Sequence, residues 1–230
     1  MNIENFIATH IVYIRENILY LEINTLFIDN FDYLVTLFCN IQDITRLNNA
    51  NAKYILPKDK YRHLGSIILQ KYITKKYTNI SIEFKDLVIQ RNNLFSQSEC
   101  KPYILYPTDD DIVKYNISHD EDIVIAIFNA KSDVGIDIMS KNRIYQLNDI
   151  NISHFKTEDK INKLQLWTLI EAYYKYNGMS ITNIDNRNFY FDGSSNKFNV
   201  YNIDGSHKNN LIVESFEFVV NDIYYIVSFI

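Results

Sequence analysis

Cysteine is nearly absent: Cys39 and Cys100 are the only two among 230 residues. Two are too few for a disulfide framework and their spacing suits no metal site, so a reducing cytoplasmic setting is expected. Glycine and proline are also scarce, at five and three, which argues for regular elements joined by few flexible linkers. Positive charge is not in excess. With 23 Lys and Arg against 28 Asp and Glu, the formal net charge of −5 gives no broad basic field for nucleic acid, so any phosphate site has to be built locally. A long apolar run is missing as well. Residues 1–20 are interrupted by Glu4, Asn5, His10, Arg15, Glu16 and Asn17, so neither a signal peptide nor a membrane span fits and a soluble protein is expected.

What is present is ordinary globular material, 47% hydrophobic with 18 Tyr, enough to fill one large core or two smaller ones. Ile18 to Ile23 reads as a buried strand, and residues 1–17 as an N-terminal addition before it. Asn30 is placed to cap a helix from Phe31 to about Cys39, with a shorter helix following through Arg46. Pro57 opens a helix running to about Lys76. Strands are expected from Leu87, over Ile123 to Phe128, and over Val134 to Met139, followed by an irregular stretch from Lys141 to Asp149. Thr157 makes a helix start and Asn177-Gly178 its stop, a span of about twenty residues. Beyond Ile181 come short β runs, with Asp192-Gly193 and Asp204-Gly205 as turn signals.

Two segments stand out chemically. In Val134-Gly135-Ile136-Asp137-Ile138-Met139 an acid sits inside an apolar strand, where a carboxylate is disfavoured unless a cation or hydrogen-bond donors meet it. About thirty residues on, Trp167, Glu171 and Lys175 recur at i, i+4 and i+8 and share one stripe of a helix. An exposed Glu–Lys pair at that spacing stabilises a helix by only about 0.3–0.5 kcal/mol, so the bland reading of the last two is a surface ion pair.

Together with Asn116-Ile117-Ser118-His119 upstream, these blocks resemble, in order and spacing, the surfactin-synthetase type of 4′-phosphopantetheinyl transferase over roughly Lys101 to Gly178. The resemblance implies an α+β fold, a pseudo-twofold arrangement of two similar α/β halves with the active site between them. The halves would be residues 1–115 and 116–230. It implies transfer of phosphopantetheine from coenzyme A to a serine of an acyl or peptidyl carrier protein, by a monomer that requires Mg2+, or Mn2+ in its place. Asp137 and Glu171 would hold the metal, with Glu171 also the base for the serine hydroxyl. Lys175 and His119 would hold the pyrophosphate.

Further contacts to coenzyme A are implied for Ser118, for Lys101 in Cys100-Lys101-Pro102, and for Lys58, Lys60 and Arg62, which could equally form a solvated helix face. Two positions depart from the family pattern. Met139 stands where many members have a third metal-facing acid, and Ile170 stands where a lysine usually precedes the helix glutamate. Ile170 points about 100° away from Glu171 and is expected at the rim beside the phosphates. A non-catalytic relative that binds coenzyme A or a carrier protein, and a metal-dependent phosphohydrolase, are the competing classes.

Overall fold

The computed structural model describes residues 3–53, 57–78, 81–91, 102–106, 113–147, 162–179, 189–194, 196–202 and 207–230. It is a mixed α+β protein; among the described residues the strands all pair antiparallel, in sheets of four, five and two strands. Two compact units divide the chain, Met1–Asp133 and Val134–Ile230. The expected division after residue 115 falls inside a strand, Lys114–Asp120, that pairs into the first unit's sheet.

The first unit begins with α1 (Ile3–His10), β1 (Ile11–Arg15), β2 (Ile18–Glu22), α2 (Thr25–Asp29), α3 (Phe31–Phe38), α4 (Ile41–Lys53) and α5 (Pro57–Thr78). It continues with β3 (Val88–Arg91), β4 (Pro102–Tyr106), β5 (Lys114–Asp120) and β6 (Ile123–Asn129). Its main sheet runs β1-β2-β6-β5, while β3 and β4 pair separately. The helix α5 lies across β6 and β2. Leu19 and Leu21 of β2 stand opposite Ala126 and Val124 of β6, and these four share a core with Leu64 and Ile68 of α5. Phe6 and Ile11 are buried in the same core, so the N-terminal residues expected as an addition are part of the unit.

Helix ends follow local polar chemistry. The Asn24 side chain accepts from the Phe27 amide and caps α2. Asn40 and Asp43 cap α4 reciprocally: the Asp43 amide donates to Asn40 Oδ1 and the Asn40 amide to Asp43 Oδ2. Asn30 precedes α3 as expected, but its side-chain amide donates back to the Leu26 carbonyl instead of capping. Asp43 also meets Lys71 of α5, whose Nζ lies 2.6 Å from Oδ2 with both side chains almost fully buried, although off the hydrogen-bond axis. Beside them, burial and the Asp43 charge push the Cys39 thiol up to about 12 against a smaller opposing pull from Lys71.

The second unit comprises β7 (Ile136–Ser140), a 3-10 turn (Lys141–Leu147), α6 (Lys163–Tyr176), β8 (Phe189–Ser194), β9 (Lys197–Asn202), β10 (His207–Val220) and β11 (Ile223–Phe229). The sheet order is β7-β11-β10-β9-β8. Asn162, not Thr157, caps α6, accepting from the Gln165 amide; Thr157 lies outside the described residues. The helix therefore has 14 residues where about twenty were expected. Its stop is as expected: Gly178 takes φ 66°, letting its amide reach the Lys175 carbonyl and the Met179 amide the Tyr174 carbonyl. Asp192-Gly193 is not a turn but sits within β8, paired to Asn199 and Phe198, and Asp204-Gly205 lies outside the described residues. The β10–β11 hairpin instead turns through Asn221 and Asp222, both at positive φ, the pattern of a two-residue loop that matches strand twist. No described helix is long and apolar enough to cross a membrane.

Candidate functional site

The carboxylate block and the helix stripe meet in the second unit. Asp137 is the second residue of β7, its side chain 8% exposed, and Lys175 of α6 donates from Nζ to Oδ1 at 2.7 Å. The partner that the sequence required for Asp137 is thus a cation from the other block. Strand geometry sets which residues face α6. Asp137 and Met139 point to the same side of β7, and Met139 packs there with Leu147, Leu164, Ile226 and the edge of Trp167. Met139 is therefore core beneath the helix.

The closeness of helix and strand depends on Gly135. A Cβ built there would stand 2.2 Å from the Ala172 carbonyl oxygen and 2.6 Å from the Tyr176 backbone nitrogen. Only a residue without a side chain lets the last turns of α6 come this near, and that approach carries Lys175 to Asp137.

Burial along α6 isolates the expected stripe. From Leu166 to Tyr174 every residue is buried except Trp167 and Glu171, and Lys175 continues the same row, half-buried. Ile170 is 0% exposed and packs in a core with Leu166, Leu169, Tyr173, Phe191 and Val213. This corrects its expected place at the rim: about 100° round from Glu171 is the side facing the sheet.

Sequence reasoning missed a row of hydroxyls beside Asp137. Ser228 of β11 stands directly opposite Asp137, and Ser215 of β10 directly opposite Ser228, so all three line one face of the sheet. Thr168 of α6 closes the row from above, 2.8 Å from Ser228 Oγ, which in turn donates to Ser215 Oγ at 3.3 Å. All four residues are buried. Their signal was faint: small hydroxyls inside Ile-Val-Glu-Ser-Phe and Ile-Val-Ser-Phe.

Apart from Lys175, the residues expected to touch coenzyme A belong to the first unit, and most gather at one corner of it. Lys58 and Arg62, on the first turns of α5, reach the β5–β6 turn: Lys58 Nζ lies 2.9 Å from Asp122, and Arg62 Nε donates to the Glu121 carbonyl at 2.7 Å. Arg62 also pairs with Asp59 at 2.9 Å. Lys60 is turned to the rings of Tyr61 and Phe31, 4.7 and 5.1 Å from their centroids. Just before that turn, Ser118 is buried and His119 exposed, since neighbours on a strand point to opposite faces. The two therefore do not share one face, and of the pair it is His119 that is open to a ligand from solvent. Lys101 lies outside the described residues.

Asp137 and Glu171 supply hard oxygen donors of the kind Mg2+ takes, and Asp137 already accepts a cation, so the place suits positive charge. Among the described residues no three His, Cys, Asp or Glu side chains converge, so a divalent ion there would rest on these two carboxylates, water and the oxygens of a bound substrate. Against known proteins, the chain matches no family model and no curated sequence.

Proposed function

We propose that the chain is a Mg2+-dependent phosphopantetheinyl transferase, moving 4′-phosphopantetheine from coenzyme A to a serine of an acyl or peptidyl carrier protein and releasing adenosine 3′,5′-bisphosphate. The observation that carries the reading is the 2.7 Å contact between Asp137 and Lys175, which joins two separate blocks of the sequence beside Glu171 on a half-open stripe. A plain surface ion pair would not bury its acid in a strand whose every residue is buried. Attack on a pyrophosphate needs neutralised charge and an aligned oxygen nucleophile. Mg2+ held by Asp137 and Glu171 would supply the first by drawing negative charge from the phosphate oxygens. Glu171 accepts the proton of the carrier serine hydroxyl. Lys175 and His119 orient the pyrophosphate, and Arg62 and Lys58 lie at the same corner as His119.

Each unit, taken by itself, sets a long helix against an antiparallel sheet. The reading includes a pseudo-twofold relation of these halves, action as a monomer in the cytoplasm, and a site formed from both.

A second reading, a non-catalytic relative that binds coenzyme A or a carrier protein, is favoured by one observation: Lys58 and Arg62 already pair with Asp122 and Asp59. Mass spectrometry separates the two. Apo carrier protein incubated with the chain, Mg2+ and coenzyme A gains phosphopantetheine on serine under the first reading, and Asp137→Asn or Glu171→Gln abolishes the gain while circular dichroism stays unchanged. Binding of coenzyme A with no mass gain on any apo carrier tested supports the second. Release of phosphate products from coenzyme A without carrier marks a phosphohydrolase.

A further inference from the structure

We infer that Lys175 serves as a built-in counter-ion for Asp137, exchanged for the divalent cation only when coenzyme A arrives. The inference rests on the transferase reading. Asp137 is buried in an apolar strand and its charge has to be balanced whether or not substrate is bound. Lys175 does this from α6, and its side chain is 27% exposed, so the ammonium stands at the water boundary on a flexible stem while the carboxylate stays inside. The hydroxyl row of Thr168, Ser228 and Ser215 and the close packing at Gly135 fix the strand side of the pair. The lysine is the partner able to move.

An ammonium 2.7 Å from Oδ1 and a divalent cation on the same carboxylate repel one another strongly in a half-buried site. The charge must therefore be exchanged: the metal takes over Asp137, and the displaced ammonium turns to the pyrophosphate that enters with it. At either stage Asp137 faces a cation and the Lys175 ammonium an anion. The consequence is a binding order in which the bare metal is held poorly and the metal with coenzyme A is held well, which also keeps the carboxylates from retaining metal without substrate.

Mn2+ serves as the probe, read by electron paramagnetic resonance on wild type, Lys175→Met and Lys175→Arg, with and without coenzyme A, after subtracting Mn2+ held by coenzyme A in solution. Wild type should hold Mn2+ at least about tenfold more tightly with coenzyme A than without, a change of one decade in Kd. Lys175→Met removes the competitor and should hold Mn2+ alone at least about tenfold more tightly than wild type. Lys175→Arg keeps the charge on a fork that grips carboxylate with two bonds, so it should hold Mn2+ less tightly than wild type when coenzyme A is present. That variant carries the test if Lys175→Met does not fold.

Should wild type bind Mn2+ alone as tightly as Lys175→Met does, or should Lys175→Arg match wild type, the exchange is overturned and the transferase reading stands. Should no variant bind Mn2+ with or without coenzyme A, the transferase reading falls with it.

Discussion

Gly135→Ala is the sharpest probe of how the site is held together. The added methyl carbon would stand 2.2 Å from the Ala172 carbonyl oxygen, where ordinary contact begins at 3.4 Å, so helix and strand must separate by 1.2 Å at that point. The obstacle is backbone and cannot rotate away. Separation loosens the packing of Ala172 and its neighbours on the sheet, and overpacking of this kind is destabilising by about 3 kcal/mol, the upper end of its usual range. The same shift draws α6, and with it Glu171, away from Asp137, so metal binding in the presence of coenzyme A should weaken. Gly65→Ala is the control. Its Cβ would meet only side chains, Val124 Cγ2 at 3.0 Å and Leu21 Cδ2 at 3.4 Å, and alanine favours a helix interior by roughly 0.5–1 kcal/mol. Urea denaturation followed by circular dichroism should show a clear loss for Gly135→Ala and little change for Gly65→Ala. Equal stability of both variants and wild type would refute the close approach of α6 to β7.

Ile170→Lys, which would restore a cation usual in the resembled family, should lower stability by roughly 3 kcal/mol or more, because the side chain is fully buried among apolar groups; a tighter KM with intact folding would show that the position faces phosphate after all. Lys71→Met removes the nearer of two cations beside Asp43, leaving Arg46 at 3.7 Å, and should destabilise the first unit by about 3 kcal/mol, the lower end for breaking a buried pair, read as a lower urea midpoint. Cys39, its thiol raised from 9.0 to about 12, keeps its proton in the folded state where an unfolded chain would lose it. Its contribution to stability is thus complete below pH 9 and declines as pH rises toward 12. In a Cys100→Ser background, alkylation of Cys39 at pH 8 should await unfolding; rapid labelling of folded protein would contradict the burial.

Where a signal is local and periodic, sequence and structure agree. The apolar run from Ile123, the proline that opens α5, the Gly178 stop and the stripe of Trp167, Glu171 and Lys175 all depend on neighbours within a few turns. What escaped depends on distant partners. Ser228 next to Asp137 follows from strand register, and the sequence contains no mark of which strand lies alongside β7. Lys58 and Arg62 read as available cations because Asp122, which meets Lys58, and the Glu121 carbonyl, which Arg62 reaches, lie some sixty residues away on the β5–β6 turn. Gly193 resembled a turn because Asp-Gly is a common turn pair, yet the chain reverses after Ser194. At Ile170 the family pattern suggested a rim position, and the local period of the helix, taken from Glu171, would have placed it correctly in the core.

The pairing of β2 with β6 also governs how this protein can be made. Ile18 finds its partner Ile127 only about a hundred residues later in the chain, and separations of that size slow folding because a long loop must close before the contact is gained. On a ribosome, β1 and β2 emerge early as an isolated hairpin carrying Ile18, Leu19 and Leu21, all of which need β6 to bury them. The helices α2 to α5 are synthesised during that wait and can form locally, but the sheet across which α5 lies stays open until β6 has cleared the exit tunnel. Truncation anywhere before Asn129 would therefore leave an unpaired apolar edge, and chains shortened in this way should aggregate where one carrying β6 does not.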